Sequence, residues 1–282
     1  MTEQDLAGIP AEKPGLNKMS EEIAKVGSEW RMQDVTASAL TVDLPCGYLD
    51  PEGAVHRELV VSEMTGYEED LLAGKGPVLQ RLNQIILNCT KRLGAIDDRK
   101  QLAQAVGKLT ASDRMVAFLA IRRVSLGDLY EVKVQCPNPD CKEEVRYTLN
   151  LADVTIKEMQ EPGVRVFEET LASGHVVVWH VMTSDDEEWL NTKGKKKEDV
   201  LTLGLLSRVD KVDGEVIDRT KREAMAKLKG LPTRDRNEIR ALFEKHEGHV
   251  DTKVDFACPS CQHEWKEELN LGQPGFFFPS AT

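Results

Sequence analysis

A doubled pair of cysteines constrains this chain more than any other feature of its sequence. The first pair encloses Cys136-Pro137-Asn138-Pro139-Asp140-Cys141, and the second encloses Cys258-Pro259-Ser260-Cys261. Each pair lies between two strand-like runs, and the second run ends in Leu-Asn-Leu, at residues 149–151 and 269–271. The pattern predicts two β-hairpins that each carry two cysteines at the tip.

The cysteine pairs belong to a longer internal repeat. Residues 109–137 align without a gap with residues 231–259, and Asp113 and Arg114 meet identical residues in the second segment. Upstream, Met64-Thr65 matches Met182-Thr183, and an acidic stretch follows each. Because a repeat of this length is one supersecondary unit, we expect two copies of a unit that contains strands, capped helices and a hairpin.

The repeat divides the chain into five segments. We expect an N-terminal arm (1–43) with a possible helix at 18–31, a first repeat unit (44–151), a connector (152–170), a second repeat unit (171–271) and an aromatic C-terminal tail (272–282). The expected fold class is α+β, with helices and small antiparallel strands or hairpins. A zinc-ribbon-like four-cysteine site would join the two units.

Hydroxyl and acidic residues mark the starts of the expected helices. A threonine followed three residues later by a carboxylate is typical of a helix N-terminus, and it occurs at Thr65–Glu68, Thr110–Asp113 and Thr183–Asp186. The carboxylates also favour the positive end of the helix dipole. We therefore expect the acidic stretches to cap helices and to be solvated, not to act as a catalytic acid and base.

The two cysteine pairs are candidate metal ligands. Zinc binds four thiolates in a tetrahedron, and neither pair has a further ligand nearby except His263. We therefore expect one composite structural Zn²⁺ site per chain, held by Cys136, Cys141, Cys258 and Cys261. Metal-free thiols, a disulfide within each pair and a redox-active Cys-Pro-Ser-Cys are the alternatives. Of the other cysteines, Cys89 is expected to be buried on a helix, and Cys46 to lie in a turn without a role.

Composition and motifs exclude several function classes. A net charge of −11 argues against binding to nucleic-acid phosphates. No apolar run approaches the ~20 residues that cross a bilayer, and no signal peptide is evident. The sequence contains no glycine-rich phosphate loop, nucleophile elbow or His-Glu-x-x-His helix. Four cysteine ligands would leave zinc no open position for catalysis. We expect neither an enzyme nor a small-molecule substrate.

An aromatic run lies close to the end of the sequence, at Phe276, Phe277 and Phe278. Such a run either folds back on its own domain or docks into a neighbouring subunit, because exposed aromatic patches mark association sites. We expect these three residues to bind a partner.

In order along the chain, several segments resemble the T-even-type phage baseplate hub assembly protein family. They are the turn at 44–47, Met64-Thr65-Gly66-Tyr67 with the acidic stretch after it, Asp113-Arg114, Gly127-Asp128-Leu129-Tyr130, the second Cys-Pro-x-Cys hairpin and the Phe-Phe-x-Pro ending. The chain departs from the family pattern at Cys46, which replaces a serine, and at the longer Cys-x4-Cys spacing after Cys136.

The resemblance implies a role in a virion tail. A protein of this kind would be made in the host bacterial cytoplasm and would build, or form part of, a baseplate or hub. Its partners would be hub, wedge or tube-initiating proteins, in a phage or in a related contractile injection system. A zinc-ribbon nucleic-acid adaptor is the second hypothesis, and a thiol oxidoreductase is the third.

Overall fold

The computed structural model describes residues 38–75, 77–193, 199–269 and 274–277. The expected helix at 18–31 and most of the expected arm therefore lie outside the described residues. The described residues from Ala39 onward form one compact unit. None of the described helices has the length and apolar composition that crossing a membrane would require.

The first repeat is a three-stranded antiparallel sheet with helices and a hairpin. Its sheet order is β1 (Ala39–Leu49), β2 (Val55–Ser62) and β3 (Thr90–Leu93). Helices α1 (Gly66–Ala73) and α2 (Val78–Cys89) connect β2 to β3, and α3 (Arg99–Gly107) and α4 (Ala111–Leu126) follow. The repeat ends in the hairpin of β4 (Leu129–Gln135) and β5 (Glu144–Asn150), and a short 3-10 helix (Leu151–Asp153) comes next.

The second repeat has the same order of elements. After β6 (Ile156–Lys157), strands β7 (Val166–Thr170), β8 (Val176–His180), β9 (Val209–Val212) and β10 (Glu215–Val216) form an antiparallel sheet. Helices α5 (Ser184–Lys193) and α6 (Val200–Leu206) connect β8 to β9. Helices α7 (Arg222–Gly230) and α8 (Thr233–His246), β11 (His249–Val250) and the hairpin of β12 (Lys253–Ala257) and β13 (Glu264–Glu268) follow, and α9 (Pro274–Phe277) is the last described element.

The predicted α+β class is confirmed, with small antiparallel sheets and two cysteine hairpins. Two strands do not follow the boundaries of the segments expected from the sequence. Strand β1 begins at Ala39, within the expected arm, because residues 39–43 pair with β2. Strand β7 lies in the expected connector, but it pairs with β8 along its whole length and so belongs to the second sheet.

The predicted helix caps are present at all three sites. The Thr65 hydroxyl and N–H donate to Glu68 Oε2 at 2.7 and 2.9 Å, and Thr183 does the same to Asp186 Oδ2 at 2.6 and 2.9 Å. The Thr110 hydroxyl donates to Asp113 at 2.8 Å. The expected solvation of the acidic stretches is wrong for Glu68 and Asp186, which are buried, and it holds for Glu69, Asp70, Asp185 and Glu188, which are exposed.

Each repeat has its own apolar core. The first lies between the β1–β2–β3 sheet and α4, and the second surrounds Trp179, which is fully buried. Cys89 is buried on α2, as predicted. The expectation for Cys46 is wrong. It lies in an irregular stretch of β1 between Asp43 and Tyr48, and its fully buried side chain packs in the core of the second repeat.

Buried polar contacts hold the first repeat together and also join it to the second. The Asp113 carboxylate accepts hydrogen bonds from the N–H groups of Cys46 and Gly47 at 2.8 and 3.1 Å, which fixes β1 against α4. On the other side of α4, the Arg114 guanidinium pairs with Glu187 and donates to the Ser184 hydroxyl, both on α5. The first helix turn of α5 is therefore held by the first repeat.

Candidate metal centre

Two hairpins present the four predicted ligands. Cys136 follows the last residue of β4, and Cys258 follows the last residue of β12. The N–H of Cys136 donates to Glu143 O at 2.8 Å, and that of Cys258 donates to His263 O at 2.9 Å. These bonds close each hairpin just beyond its strands, so the sulfurs lie at the tips. We call the two hairpins and their four cysteines the clasp.

The two cysteine turns have the same local geometry despite their different spacing. The N–H of Lys142 donates to Asn138 O at 3.1 Å, and the N–H of Gln262 donates to Cys258 O at 2.8 Å. Lys142 and Gln262 both adopt left-handed backbone conformations, with φ of 52° and 58°. In both hairpins this residue directly follows the second cysteine. The longer first spacing therefore adds residues before the turn and leaves its closure unchanged.

The four sulfurs have the separations of a tetrahedral site. Cys136 Sγ lies 3.7 Å from Cys261 Sγ, and Cys141 Sγ lies 3.8 Å from Cys258 Sγ. All four sulfurs are within 4.8 Å of one another, and none is in a disulfide. A tetrahedron with Zn–S bonds of ~2.3 Å has edges of ~3.8 Å. The cysteines therefore fit one four-coordinate thiophilic ion shared by the two repeats.

A small apolar cluster supports the sulfurs. Cys136 and Cys258 are each 1 % exposed and pack with Val145. The Tyr147 ring meets Phe256 edge-on at 4.8 Å, and its hydroxyl donates to Ala257 O at 2.6 Å. These contacts bring the two hairpins face to face, so the ligand geometry does not depend on the metal alone.

The clasp gives two of its thiols very different pKa values. Burial raises the pKa of the Cys136 thiol to about 12. The His263 main-chain N–H lowers the pKa of the Cys261 thiol to about 7. A divalent cation would favour the thiolate form of all four, because metal binding displaces thiol protons. Metal affinity at this site should therefore rise with pH.

Other candidate ligands do not join the site. His263 stacks on the Trp265 ring at 6.2 Å, and the one potential metal cluster among the described residues consists of the four cysteines. The donor set is all sulfur, which suits zinc and other thiophilic ions better than calcium or magnesium.

Phe276 and Phe277 of the aromatic tail lie in the first core. Phe276 and Phe277 are 1 % and 5 % exposed, and Phe278 lies outside the described residues. The Phe276 ring meets Tyr130 at 5.1 Å, and its carbonyl accepts a hydrogen bond from Arg122 Nε at 3.0 Å. This placement corresponds to the fold-back alternative. Docking of the tail into a neighbour stays a prediction about an assembled state.

Sequence reasoning missed the buried ion pairs around the second core. Arg208 forms an ion pair with Glu247, and its side chain is buried, with 6 % of the residue exposed. Its Cζ lies 3.7 Å from the centroid of the Phe243 ring. The Glu247 carboxylate also accepts the Met182 N–H at 2.9 Å. The one sequence signal for buried charge was the Asp-Arg pair that occurs in both repeats, Asp113-Arg114 and Asp235-Arg236. Arg208 lies outside these aligned segments.

A model of the family described as T4 bacteriophage base plate protein matches residues 57–278 of the chain. The match begins in β2 and includes the rest of the first repeat, the second repeat, the four cysteines and the aromatic run. No curated protein and no solved structure matches the chain.

Proposed function

The chain belongs to the T4 bacteriophage base plate protein family, and on this premise we propose that it is a non-enzymatic component or assembly factor of a tail baseplate or hub. The family match across both repeats carries the proposal. The role would place the protein in the virion tail, or in the same part of a related contractile injection system. Its partners would be the hub, wedge or tube-initiating proteins that surround it.

A structural zinc ion in the clasp is part of the proposal. Cys136, Cys141, Cys258 and Cys261 would hold it, and their separations agree with a zinc–thiolate tetrahedron. Bound zinc would stabilise the fold by an amount that depends on its affinity, because the folded chain alone presents all four ligands together. Since four sulfurs complete the coordination, the ion would hold the two hairpins and would take no part in catalysis.

Exposed apolar side chains offer surfaces for neighbouring proteins. Those more than half exposed are Tyr67, Val78, Leu129, Val166, Leu201, Val200 and Val216. The acidic net charge of −11 favours partners with basic surfaces over nucleic acid. The aromatic tail would add to these contacts only if it left the first core.

The proposal is tested by removing the gene product from infection and examining the tails. We expect particles without functional baseplates, with tail intermediates that stop before the tube is complete. Mass spectrometry of wild-type particles then distinguishes the two forms of the proposal, since a retained component is present at a fixed stoichiometry and an assembly factor is absent. Normal tails and infectivity without the chain would contradict both forms.

A further inference from the structure

Two close sulfur contacts of the clasp connect one hairpin to the other. The contact of 3.7 Å joins Cys136 to Cys261, and the contact of 3.8 Å joins Cys141 to Cys258. Each contact takes one sulfur from each repeat, and no sulfur belongs to both. Two covalent bonds could therefore form along these contacts in the same molecule, with sulfur movements of less than ~2 Å to reach the ~2.05 Å of a disulfide.

The four sulfurs differ in their access to solvent. Cys261 is exposed and Cys141 is partly exposed, whereas Cys136 and Cys258 are buried. Each close contact therefore joins one accessible sulfur to one buried sulfur. A small oxidant would meet Cys261 first. The thiol of its partner, Cys136, would be shielded from direct attack because it is buried. The Asn138 amide also donates to Cys261 Sγ at 3.6 Å, which keeps this sulfur beside the first hairpin.

We propose that the clasp is an oxidation site whose product is a pair of disulfides between the repeats, Cys136–Cys261 and Cys141–Cys258. The inference rests on the proposed function, since it takes zinc as the resident ion and a virion as the destination. The cytosol keeps thiols reduced, whereas disulfides persist on virion surfaces. The same four cysteines would thus hold the repeats through a metal during assembly and through covalent bonds in the released particle.

The chemistry balances with a peroxide as the oxidant. The Cys261 thiolate attacks one oxygen of hydrogen peroxide, the O–O bond breaks, and a sulfenic acid and hydroxide result. The Cys136 thiolate then attacks the Cys261 sulfur, the S–S bond forms and a second hydroxide leaves. The two electrons that reduce the peroxide come from the two thiolates. Loss of two ligands releases Zn²⁺ to solvent, and a second peroxide oxidises Cys141 and Cys258 in the same way.

The test uses the full-length, zinc-loaded chain with hydrogen peroxide. A colorimetric chelator measures zinc release, and non-reducing peptide mapping identifies the disulfides. We expect zinc release in step with oxidation and peptides joined through Cys136–Cys261 and Cys141–Cys258. Disulfides within each pair, Cys136–Cys141 and Cys258–Cys261, would overturn the proposal. Sulfinic acids without disulfides would overturn it as well.

Two matched variants test whether the Cys136–Cys261 disulfide forms as proposed. In Cys136→Ser, oxidised Cys261 has lost its partner, so dimedone should trap a sulfenic acid there. In Cys141→Ser, the Cys136–Cys261 disulfide should still form. Equal dimedone labelling of Cys261 in the two variants would contradict the proposed pairing. Metal analysis before oxidation separates the two proposals: a metal-free chain contradicts the structural zinc, while the peptide map still decides the pairing.

Discussion

At the residue scale, the chain packs tightly around Gly248, just after α8. A Cβ at this position would lie 2.5 Å from the Pro45 side chain, 2.9 Å from Lys157 O and 3.1 Å from Met159 N. Two of these atoms are backbone, and the third is in a proline ring, so the neighbours cannot rotate away. Only glycine fits here because three segments of chain meet at this point.

Gly248→Ala should therefore destabilise the protein by about 1–3 kcal/mol, as overpacking of a closed site does. The measurement is the free energy of unfolding from chemical denaturation. Gly107→Ala is the matched control, because a Cβ there meets no atom within 4 Å. The control should be neutral or slightly stabilising, since alanine is favoured over glycine in helices. An equal loss of stability in both variants would contradict the tight junction.

A half-buried charged cluster fixes α5 to the second sheet. Both ring nitrogens of His180 contact carboxylates, with Nδ1 2.9 Å from Asp210 and Nε2 3.1 Å from Asp186. Because ionised carboxylates only accept hydrogen bonds, both nitrogens must donate, and His180 is an imidazolium. Burial disfavours this charge, but hydrogen bonds to the two carboxylates outweigh burial and raise the pKa of His180.

The raised pKa predicts how stability changes with pH. A raised histidine pKa contributes stability that is fully present below the unfolded-state pKa of ~6.5 and is lost as pH rises through the folded-state pKa. We therefore expect the free energy of unfolding of the wild type to fall as the pH rises above about 6.5 and through the raised folded-state pKa, and to fall less in His180→Gln.

Two further variants sharpen the pH experiment. Asp210→Asn should also reduce the fall, because it removes one of the carboxylates that stabilise the imidazolium. His175→Gln is the control, since its pair with Asp213 is solvent-exposed and worth little. Urea unfolding at closely spaced pH values measures all four proteins. Parallel pH profiles for wild type and His180→Gln would contradict an imidazolium at His180.

Helix α9 closes the first core from the far end of the chain. Phe276 and Phe277 pack with Tyr130 and Phe118, at centroid distances of 5.1 and 5.5 Å. Buried Arg122 donates to the carbonyls of Phe276, Gly127 and Leu129, so the tail also satisfies a buried cation. Helix α9 is therefore an integral part of the first repeat in this conformation.

Phe276→Ala should destabilise the protein by about 3–5 kcal/mol, as deletion of a buried aromatic ring does. Leu129→Ala removes a side chain of the adjacent strand that is 65 % exposed, and it should change stability by less than about 0.5 kcal/mol. Thermal or chemical unfolding compares the two. If the Phe276 variant were as stable as the Leu129 variant, the tail would not be part of the core in solution.

Local sequence signals predicted the elements that local chemistry determines. The cysteine hairpins and the threonine caps depend on residues within a few positions of one another, and both are present. The family resemblance is confirmed by the family match. By contrast, the burial of Glu68 depends on Asn88, which lies on the neighbouring helix α2. The Asn88 amide donates a hydrogen bond of 2.9 Å to Glu68 Oε1. The position of Cys46 in the other repeat's core depends likewise on distant packing, which spacing along the chain cannot reveal.

At the scale of the whole molecule, the two repeats are joined by contacts outside the clasp, which the cysteine pattern alone did not predict. The Arg114–Glu187 pair and the Cys46 side chain join them at a distance in sequence from the clasp. Loss of the metal should therefore loosen both hairpins while the two cores remain folded. The clasp then fixes the position of the hairpins relative to each other, and a partner could recognise that fixed pair.

We propose that one ion is shared by cysteines from both repeats. The most direct measurement is zinc stoichiometry by elemental analysis, combined with X-ray absorption at the zinc edge, on the protein purified under reducing conditions. We expect one zinc per chain with four sulfur neighbours at ~2.3 Å, and we expect it to be lost equally in Cys136→Ser and Cys258→Ser. A metal-free protein, two zinc ions per chain, or a site that survives the loss of either hairpin's cysteine would contradict the shared centre.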